Sequence, residues 1–325
     1  MSKAIRMHEN GGAEVLRWEE VSVGNPAAGQ LKLRQTAVGL NFIDIYHRTG
    51  LYPVPQLPTI LGLEGAGVVT EVGTDVNEYH VGDRVAYAGP PMGAYAEERL
   101  MPADRVVKIP AGISDIQAAG MMLQGMTARY LLHGCYQVKP GDTILIHAAA
   151  GGVGLIVCQW AKYLGATVIG TAGSREKADL AKAHGCDHPI LYRDEDVVQG
   201  VRELTGGKGV DVVYDSVGKD TFLASLDCLR PRGMMVSFGQ SSGSVPAFDP
   251  SLLNAKGSLF LTRPSLMHYT AERGDLLNCA TDLFEVVQAG AVKIEVNQTF
   301  PLQEAAEAHR ALEGRRTTGA TVLLP

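Results

Sequence analysis

No apolar run in this 325-residue chain approaches the roughly 20 residues of a membrane-spanning helix, so a helical membrane protein is excluded. The first residues, MSKAIRMHENGG, carry charges and no apolar stretch, and a secretory signal is not expected. Cysteine is scarce: Cys135, Cys158, Cys186, Cys228 and Cys279 are scattered, with no close pair in sequence. An odd, dispersed set argues against a disulfide framework and for reduced thiols in a cytoplasmic protein. Positive charge is not in excess either. A formal charge of −6 offers no general basic surface to nucleic acid or an anionic membrane. Internal repeats and low-complexity segments are absent. What is present, 46% apolar and 20% charged residues, is the composition of a compact globular chain, and the length favours two domains.

Three textures follow one another. Residues 1 to about 125 hold short strand-like runs (Leu31–Ala37, Ala66–Val72, Arg84–Ala88) separated by turns such as Gly73-Thr74-Asp75 and Val81-Gly82-Asp83. Asp115–Gly120 and Thr127–Gly134 are helical in composition. From Thr143 the pattern becomes strand, glycine turn, helix: Thr143–His147 and Thr167–Gly170 are strands, Val153–Leu164 and Ser174–His184 helices, and Asp211–Asp215, Gly233–Phe238 and Ser258–Thr262 further strands. This alternation predicts a doubly wound parallel sheet with helices on both faces, an α/β fold. In the tail, Ala271–Ala289 suits an amphipathic helix with Leu276, Leu277, Ala280, Leu283, Phe284 and Val287 on its apolar face, Glu304–Glu313 another helix, and Thr321–Leu324 a last strand.

The strongest local signal is His147-Ala148-Ala149-Ala150-Gly151-Gly152-Val153-Gly154, between a predicted strand and a predicted helix. That is the context of a dinucleotide fingerprint: side chains missing at Gly151 and Gly152 let the backbone approach a pyrophosphate, Gly154 lets helix pack on strand, and the helix N-terminus supplies N–H donors. Ala150 and Val153 complete the loop. An NAD site usually carries an acid about 20 residues on, for the ribose 2′-OH. Here the stretch reads Thr171-Ala172-Gly173-Ser174-Arg175-Glu176-Lys177, with Tyr192 and Arg193 after the third strand. No acid ends the strand, and Ser174 and Lys177 suit a 2′-phosphate, so the cofactor read from these residues is NADPH.

With those residues and Gly39-Leu40-Asn41-Phe42-Ile43-Asp44, Gly62-Leu63-Glu64-Gly65-Ala66-Gly67, Val81-Gly82-Asp83-Arg84-Val85 and Tyr214-Asp215-Ser216-Val217-Gly218, the whole chain resembles the zinc-independent NADPH:quinone oxidoreductases, the zeta-crystallin-like group of the medium-chain dehydrogenase/reductase superfamily. The resemblance implies a Rossmann domain (126–264) inserted into a mostly-β, barrel-like (GroES-like) catalytic domain built from 1–125 and 265–325. It also implies a homodimer paired through an edge strand, here Gly257–Thr262. In the zinc alcohol dehydrogenases of the same architecture, a cysteine lies in the segment matching Gly39–Asp44 and a histidine precedes the glutamate of a Gly-His-Glu motif. This chain has no cysteine in that segment and Leu63 before Glu64, and residues 1–134 lack the four cysteines of a structural zinc lobe, so no metal is expected.

Without zinc to polarise an alcohol, a quinone or conjugated carbonyl is the better substrate, since it accepts hydride directly, and the reduction of a quinone is expected to run by hydride or electron transfer. Asn41, Tyr46 and Tyr52 are the candidates to orient its carbonyl, with a Tyr able to relay a proton; Asp44 reads instead as a structural hydrogen-bonding residue. The resemblance puts Gln124 and Thr127 near the nicotinamide. Loops at the carboxyl ends of the strands add Ser216, Phe238, Gly239, Ser241 and Arg263 as cofactor contacts, and Thr317 is added from the tail. His147 shows no evident serine partner, and no nucleophile elbow is present, which argues against a hydrolase. Two other readings stay open: a reductase of enones or enals in the same superfamily, and an NADPH-binding structural or RNA-binding protein, against which the acidic charge argues.

Overall fold

The computed structural model describes residues 2–325, which divide into two compact units. One comprises the described residues up to 126, with 270–288 and 294–325; the other comprises residues 127–269 and 289–293. The first stretch of chain contributes β1 (Ser2–Met7), β2 (Arg17–Val21), β3 (Gln30–Leu40), β4 (Thr59–Ile60), β5 (Glu64–Val72), β6 (Arg84–Ala88), β7 (Glu98–Pro102) and β8 (Val107–Lys108). The second unit holds β9 (Thr143–Ile146), β10 (Thr167–Ala172), β11 (His188–Leu191), β12 (Val210–Asp215), β13 (Leu229–Ser237) and β14 (Phe260–Thr262), and the tail returns β15 (Val296–Pro301) and β16 (Ala320–Leu324) to the first.

In the first unit β15-β16-β3-β5-β6-β8 form one sheet, with β7 also paired to β3, while β2-β1-β4 form a smaller sheet. Strand β3 is the hub because it is long and alternates: Leu31 and Leu33 point into the core, and its far end, Ala37 to Leu40, is buried on both faces. Ile5, Met7, Val69, Val85, Tyr87, Tyr95 and Met101 close around it. Gly39 lies on this buried stretch. A Cβ there would collide with Glu64 Oε2 and with the carbonyl of Ala119, so the glycine makes room for a buried carboxylate. The helix Phe42–Thr49 follows directly and ends on Gly50 in the left-handed conformation.

That helix is tied down by Arg48, 1% exposed. Its guanidinium donates Nη2 to Glu313 Oε1 at 2.6 Å, Nη1 to Glu313 Oε2 at 3.0 Å and Nε to the carbonyl of Gly11 at 3.1 Å. One side chain thus joins the N-terminal segment, the helix Phe42–Thr49 and the helix Ala305–Glu313.

The second unit is a six-stranded parallel sheet in the order β11-β10-β9-β12-β13-β14. The order reverses between β9 and β12, the switch point at which such sheets bind dinucleotides beyond the strands' carboxyl ends. Its core is Leu145, Ile169, Val213, Met235 and the helix residues Val201, Phe222 and Leu226. Among the described residues no helix is long and apolar enough to cross a membrane.

Several sequence expectations need correction. The two helical stretches after residue 115 are one: an α-helix, Asp115–Arg129, continues into a π-helical turn, Tyr130–Cys135. Strand β15 was not anticipated; its residues alternate between half-buried and exposed, so it lacks an apolar run. On the helix Arg273–Gln288, Leu277 faces outward and Cys279 takes a buried position instead. Cys158 and Cys186, 28 apart in sequence (186 − 158), meet as neighbouring buried thiols.

Arg48→Leu keeps the apolar bulk but leaves Glu313 without its partner. Because Glu313 reaches water, the loss is at the lower end for a buried pair, about 2–4 kcal/mol, and a lowered urea midpoint with unchanged slope checks it.

Candidate functional site

In the second unit, every loop with a candidate cofactor residue leaves the carboxyl end of a parallel strand. After β9 the chain turns through Ala148, held at φ +54, into the helix Gly152–Tyr163. A Cβ on Gly154 would run into the backbone of Ala148 and Ala149, so helix and turn lie in direct contact and the first-turn N–H groups are presented as a cradle. Ala150 is buried; Gly151, Gly152 and Val153 are half-buried.

After β10, Ser174 caps the helix Arg175–Ala183, its Oγ accepting the backbone N–H of Lys177 at 3.4 Å. Glu176 faces water and Lys177 is half-buried. From the end of β11, the Tyr192 phenol folds over Gly173, where a Cβ would come within 2.6 Å of its oxygen. Gly173, Ser174, Lys177 and Tyr192 are therefore gathered at one corner of the sheet. Gly239 packs on Ser216 without room for a Cβ, Phe238 N–H donates to the carbonyl of Asp215 at 2.8 Å, and Ser241 N–H to that of Ser216 at 3.2 Å. Arg263, after β14, donates to the carbonyl of Ser237 at 2.8 Å. Thr127 is buried in this unit beside Tyr130. Thr317, half-buried, and Gln124 belong to the first unit.

A hydrogen-bonded chain that sequence reasoning missed ties these loops together. Asp215 accepts Val217 N–H at 2.8 Å, Gly218 N–H at 3.0 Å and Ser225 Oγ–H at 2.9 Å. Ser225 Oγ lies 3.0 Å from His147 Nε2, and His147 Nδ1 3.1 Å from Thr171 Oγ1, which also accepts Ala148 N–H at 3.3 Å. Since Ser225 gives its proton to Asp215, His147 is neutral with its proton on Nε2. Burial lowers the His147 pKa, and the nearby Asp215 charge only partly opposes this. His147 thus does have a serine partner, contrary to the sequence reading. Ser225 and Asp215 are fully buried, so the chain links loops rather than forming a nucleophile.

In the first unit, Asn41 begins the helix Phe42–Thr49, and Tyr46 lies one turn further on. The Tyr46 and Tyr52 rings meet edge to face, centroids 5.1 Å apart, and Tyr52 N–H donates to the Tyr46 carbonyl at 3.0 Å. Asn41 Nδ2 donates to Glu64 Oε2 at 2.7 Å, Leu123 N–H to Glu64 Oε1 at 2.7 Å, and Gln124 Nε2 to Asn41 Oδ1 at 3.1 Å. Glu64 was quoted as part of a motif, but its hold on Asn41 has no periodic signature. Burial pushes Glu64 up to about 8, while its bonds to Asn41 and Leu123 pull the other way.

Asp44 accepts Asn41 N–H at 2.9 Å and the Tyr95 hydroxyl at 3.1 Å on one oxygen. Tyr95 lies 3.0 Å from His309 Nε2, and Arg48 Nη1 3.0 Å from His309 Nδ1. Arginine only donates, so this chain too has one direction, from Arg48 through neutral His309 and Tyr95 to Asp44. Burial and the Arg48 charge push His309 down to about 3, and burial pushes Asp44 up to about 7. Among the described residues, no group of three or more His, Cys, Asp and Glu is placed to hold a metal. His47 instead packs edge-on against Tyr52, at 5.8 Å.

The signs of these shifts set a pH dependence. Asp44 and Glu64 have raised folded-state pKa values, so the folded chain binds more protons than the unfolded one, and stability is lost as pH rises towards about 7 and about 8. His309 has a lowered value, and its contribution is lost only as pH falls from the ordinary histidine range towards about 3. Above about pH 6.5 the carboxyls therefore dominate. The urea midpoint is expected to fall between about pH 6.5 and 8.5, and Glu64→Gln to remove part of that slope; an unchanged slope in the variant contradicts this.

The alcohol dehydrogenase GroES-like domain family matches residues 27–111, and the zinc-binding dehydrogenase family matches residues 152–282. The chain is 51% identical over 331 residues to 2-haloacrylate reductase of a Burkholderia species, covering 100% of this chain and 99% of that one. It is 51% identical over 325 residues to a quinone oxidoreductase of Pseudomonas aeruginosa, covering 100% of both. The crystal structure of Escherichia coli quinone oxidoreductase complexed with NADPH superimposes with a TM-score of 0.98 at 48% identity, covering 99% of this chain and 100% of that one. Identity of this order from end to end, on a GroES-like unit interrupted by a 3-2-1-4-5-6 Rossmann sheet, makes the chain a member of the quinone oxidoreductase family of medium-chain dehydrogenases/reductases.

Proposed function

We propose that the protein reduces quinones with NADPH and without a metal ion. The observation that carries this reading is the corner where β10 and β11 end: a capped helix start with Lys177 and the Tyr192 phenol over Gly173, and no carboxylate ending the strand. An acid there would repel a 2′-phosphate, whereas a serine, a lysine and a phenol can bind it. Gly151 to Gly154 would hold the pyrophosphate on the helix N-terminus, with Ser216, Phe238, Gly239, Ser241 and Arg263 lining the remaining strand ends. Gln124, Thr127 and Thr317 complete the proposed cofactor contacts.

When bound, NADPH supplies a hydride, two electrons with one proton, and a second proton from water completes the quinol. The chain's own residues position the acceptor. Asn41, Tyr46 and Tyr52 would orient its carbonyl, and a phenol would donate a hydrogen bond, or its proton, as negative charge grows on the oxygen. The Tyr46 and Tyr52 rings, meeting edge to face, offer the apolar and hydrogen-bonding surface that a quinone suits. A quinone is electrophilic enough to accept hydride without a Lewis acid. The Burkholderia relative, named for a conjugated substrate, supports a second reading in which the acceptor is an activated alkene; comparing kcat/KM on quinones and alkenals separates the two.

The assembly we favour is a homodimer. Strand β14 is the edge of the parallel sheet and exposes Phe260, so a second copy can continue the sheet. The free cysteines support a reducing, cytoplasmic location.

Lys177→Ala is expected to raise the Kd for NADPH about 10- to 100-fold, the loss of one charge-assisted bond, with little effect on NADH. Fluorescence titration with both cofactors checks this. An equal loss for both, or none, contradicts the assignment of the 2′-phosphate corner.

A further inference from the structure

Glu64, Asn41 and Gln124 form a row of three planar groups whose directions are not independent. Leu123 N–H is a backbone donor that cannot turn over, so the Glu64 oxygen it meets must accept. Backbone crowding at Gly39 fixes the carboxylate plane, because Glu64 Oε2 lies where that residue's side chain would otherwise be. When Glu64 is ionised, its Oε2 then faces Asn41 as a second acceptor and demands an N–H. The Asn41 amide is thereby oriented with its oxygen towards Gln124, the sense that its capping box with Asp44 N–H also favours, and Gln124 must answer with its own N–H. The Gln124 oxygen is left over. The side chain is 7% exposed, and Oε1 is buried without a partner, a cost a protein seldom bears without use.

We propose that Glu64, as the carboxylate, is a positioning residue that sets the polarity of the Asn41–Gln124 amide pair, so that its open end is an acceptor, Gln124 Oε1, for an N–H or O–H donor on a bound ligand. Within the function proposed above, on which the ligand assignment rests, two groups have that chemistry: the carboxamide of the cofactor and the hydroxyl of the quinol. A group that only accepts, such as a quinone oxygen, would be repelled at that position. The row thus favours one binding pose, and a product over a substrate, through a residue that itself touches neither.

Changing the carboxylate reverses the row without removing a side chain. In Glu64→Gln, Leu123 N–H still requires an oxygen, so the new NH2 faces Asn41. Asn41 then turns over, Gln124 follows, and the open end becomes a donor. Moving the charge along the row, in Glu64→Gln/Gln124→Glu, lets residue 124 accept from the reversed Asn41 and restores an acceptor at the open end. Gln124→Glu alone sets two carboxylates against one amide and is expected to be the worst of the three.

The test measures NADPH affinity by fluorescence and kcat/KM for 1,4-benzoquinone at pH 9, above the value of about 8 to which burial pushes Glu64. Selective 15N-Asn/Gln spectra of the ligand-free proteins are recorded alongside. Glu64→Gln is expected to weaken one of the two functional readouts at least ~10-fold and to shift the side-chain amide signals of both Asn41 and Gln124; the double variant recovers to within about threefold of wild type. Loss in NADPH affinity assigns the donor to the carboxamide, and loss only in the quinone step assigns it to the substrate. A double variant no better than Glu64→Gln, or a Glu64→Gln protein with unmoved amide signals, overturns the proposal. If wild type neither binds NADPH nor reduces quinone, the functional reading fails, while the amide spectra still decide the polarity.

Discussion

A carboxylate sealed from water has to be met on both oxygens, and around Glu64 that requirement shapes the first unit. Gly39 must lack a side chain, the chain must present Leu123 N–H, and Asn41, which forms a capping box with Asp44, must turn its amide NH2 towards Glu64. Asp44, in the first turn of the helix Phe42–Thr49, holds the N–H of Asn41, and is held in turn by Tyr95, His309 and Arg48. The run from Glu64 to Glu313 is one connected polar system, and the segment proposed to face substrate hangs from it. Such systems specify a single arrangement when every donor is met, and the unmet atoms, Asp44 Oδ1 and Gln124 Oε1, are where this one remains open.

The second unit solves a different problem by the same means. Six parallel strands deliver their loops to one end, but a loop has few contacts of its own to hold it. Asp215, Ser225, His147 and Thr171 join the loops after β12, β9 and β10 by side chains that lie beneath them. Ala148, a non-glycine residue at positive φ, sits in the middle of this arrangement, where Thr171 takes its N–H. Strain at the turn is thus offset beside the fingerprint.

Much of the fold was legible because its signals are local. Arg84–Ala88 coincides with β6, and the fingerprint lies between β9 and its helix as its spacing requires. The alternation of strand and helix from Thr143 onward identified the parallel sheet. What escaped was long-range or two-faced. Strand β15 has no apolar run, and the join between Asp115–Arg129 and its π-turn carries no break in composition. The pairing of His147 with Ser225 spans 78 residues, and that of Asn41 with Glu64 spans 23, so neither leaves a periodic trace. Proximity of side chains from separate elements is a property of topology, and the crowding at Gly39 that marks one of these contacts is visible only in the fold.

Hydrogen bonds to Glu64 and Gln124 organise Asn41, and hydride transfer to a quinone needs no Lewis acid. The most direct test follows NADPH absorbance in stopped flow with 1,4-benzoquinone, using protein stripped of metal by a chelator, before and after zinc is restored. The account predicts rapid oxidation by the stripped protein and no gain on adding zinc. Oxidation that is lost on stripping and returns with zinc would contradict it.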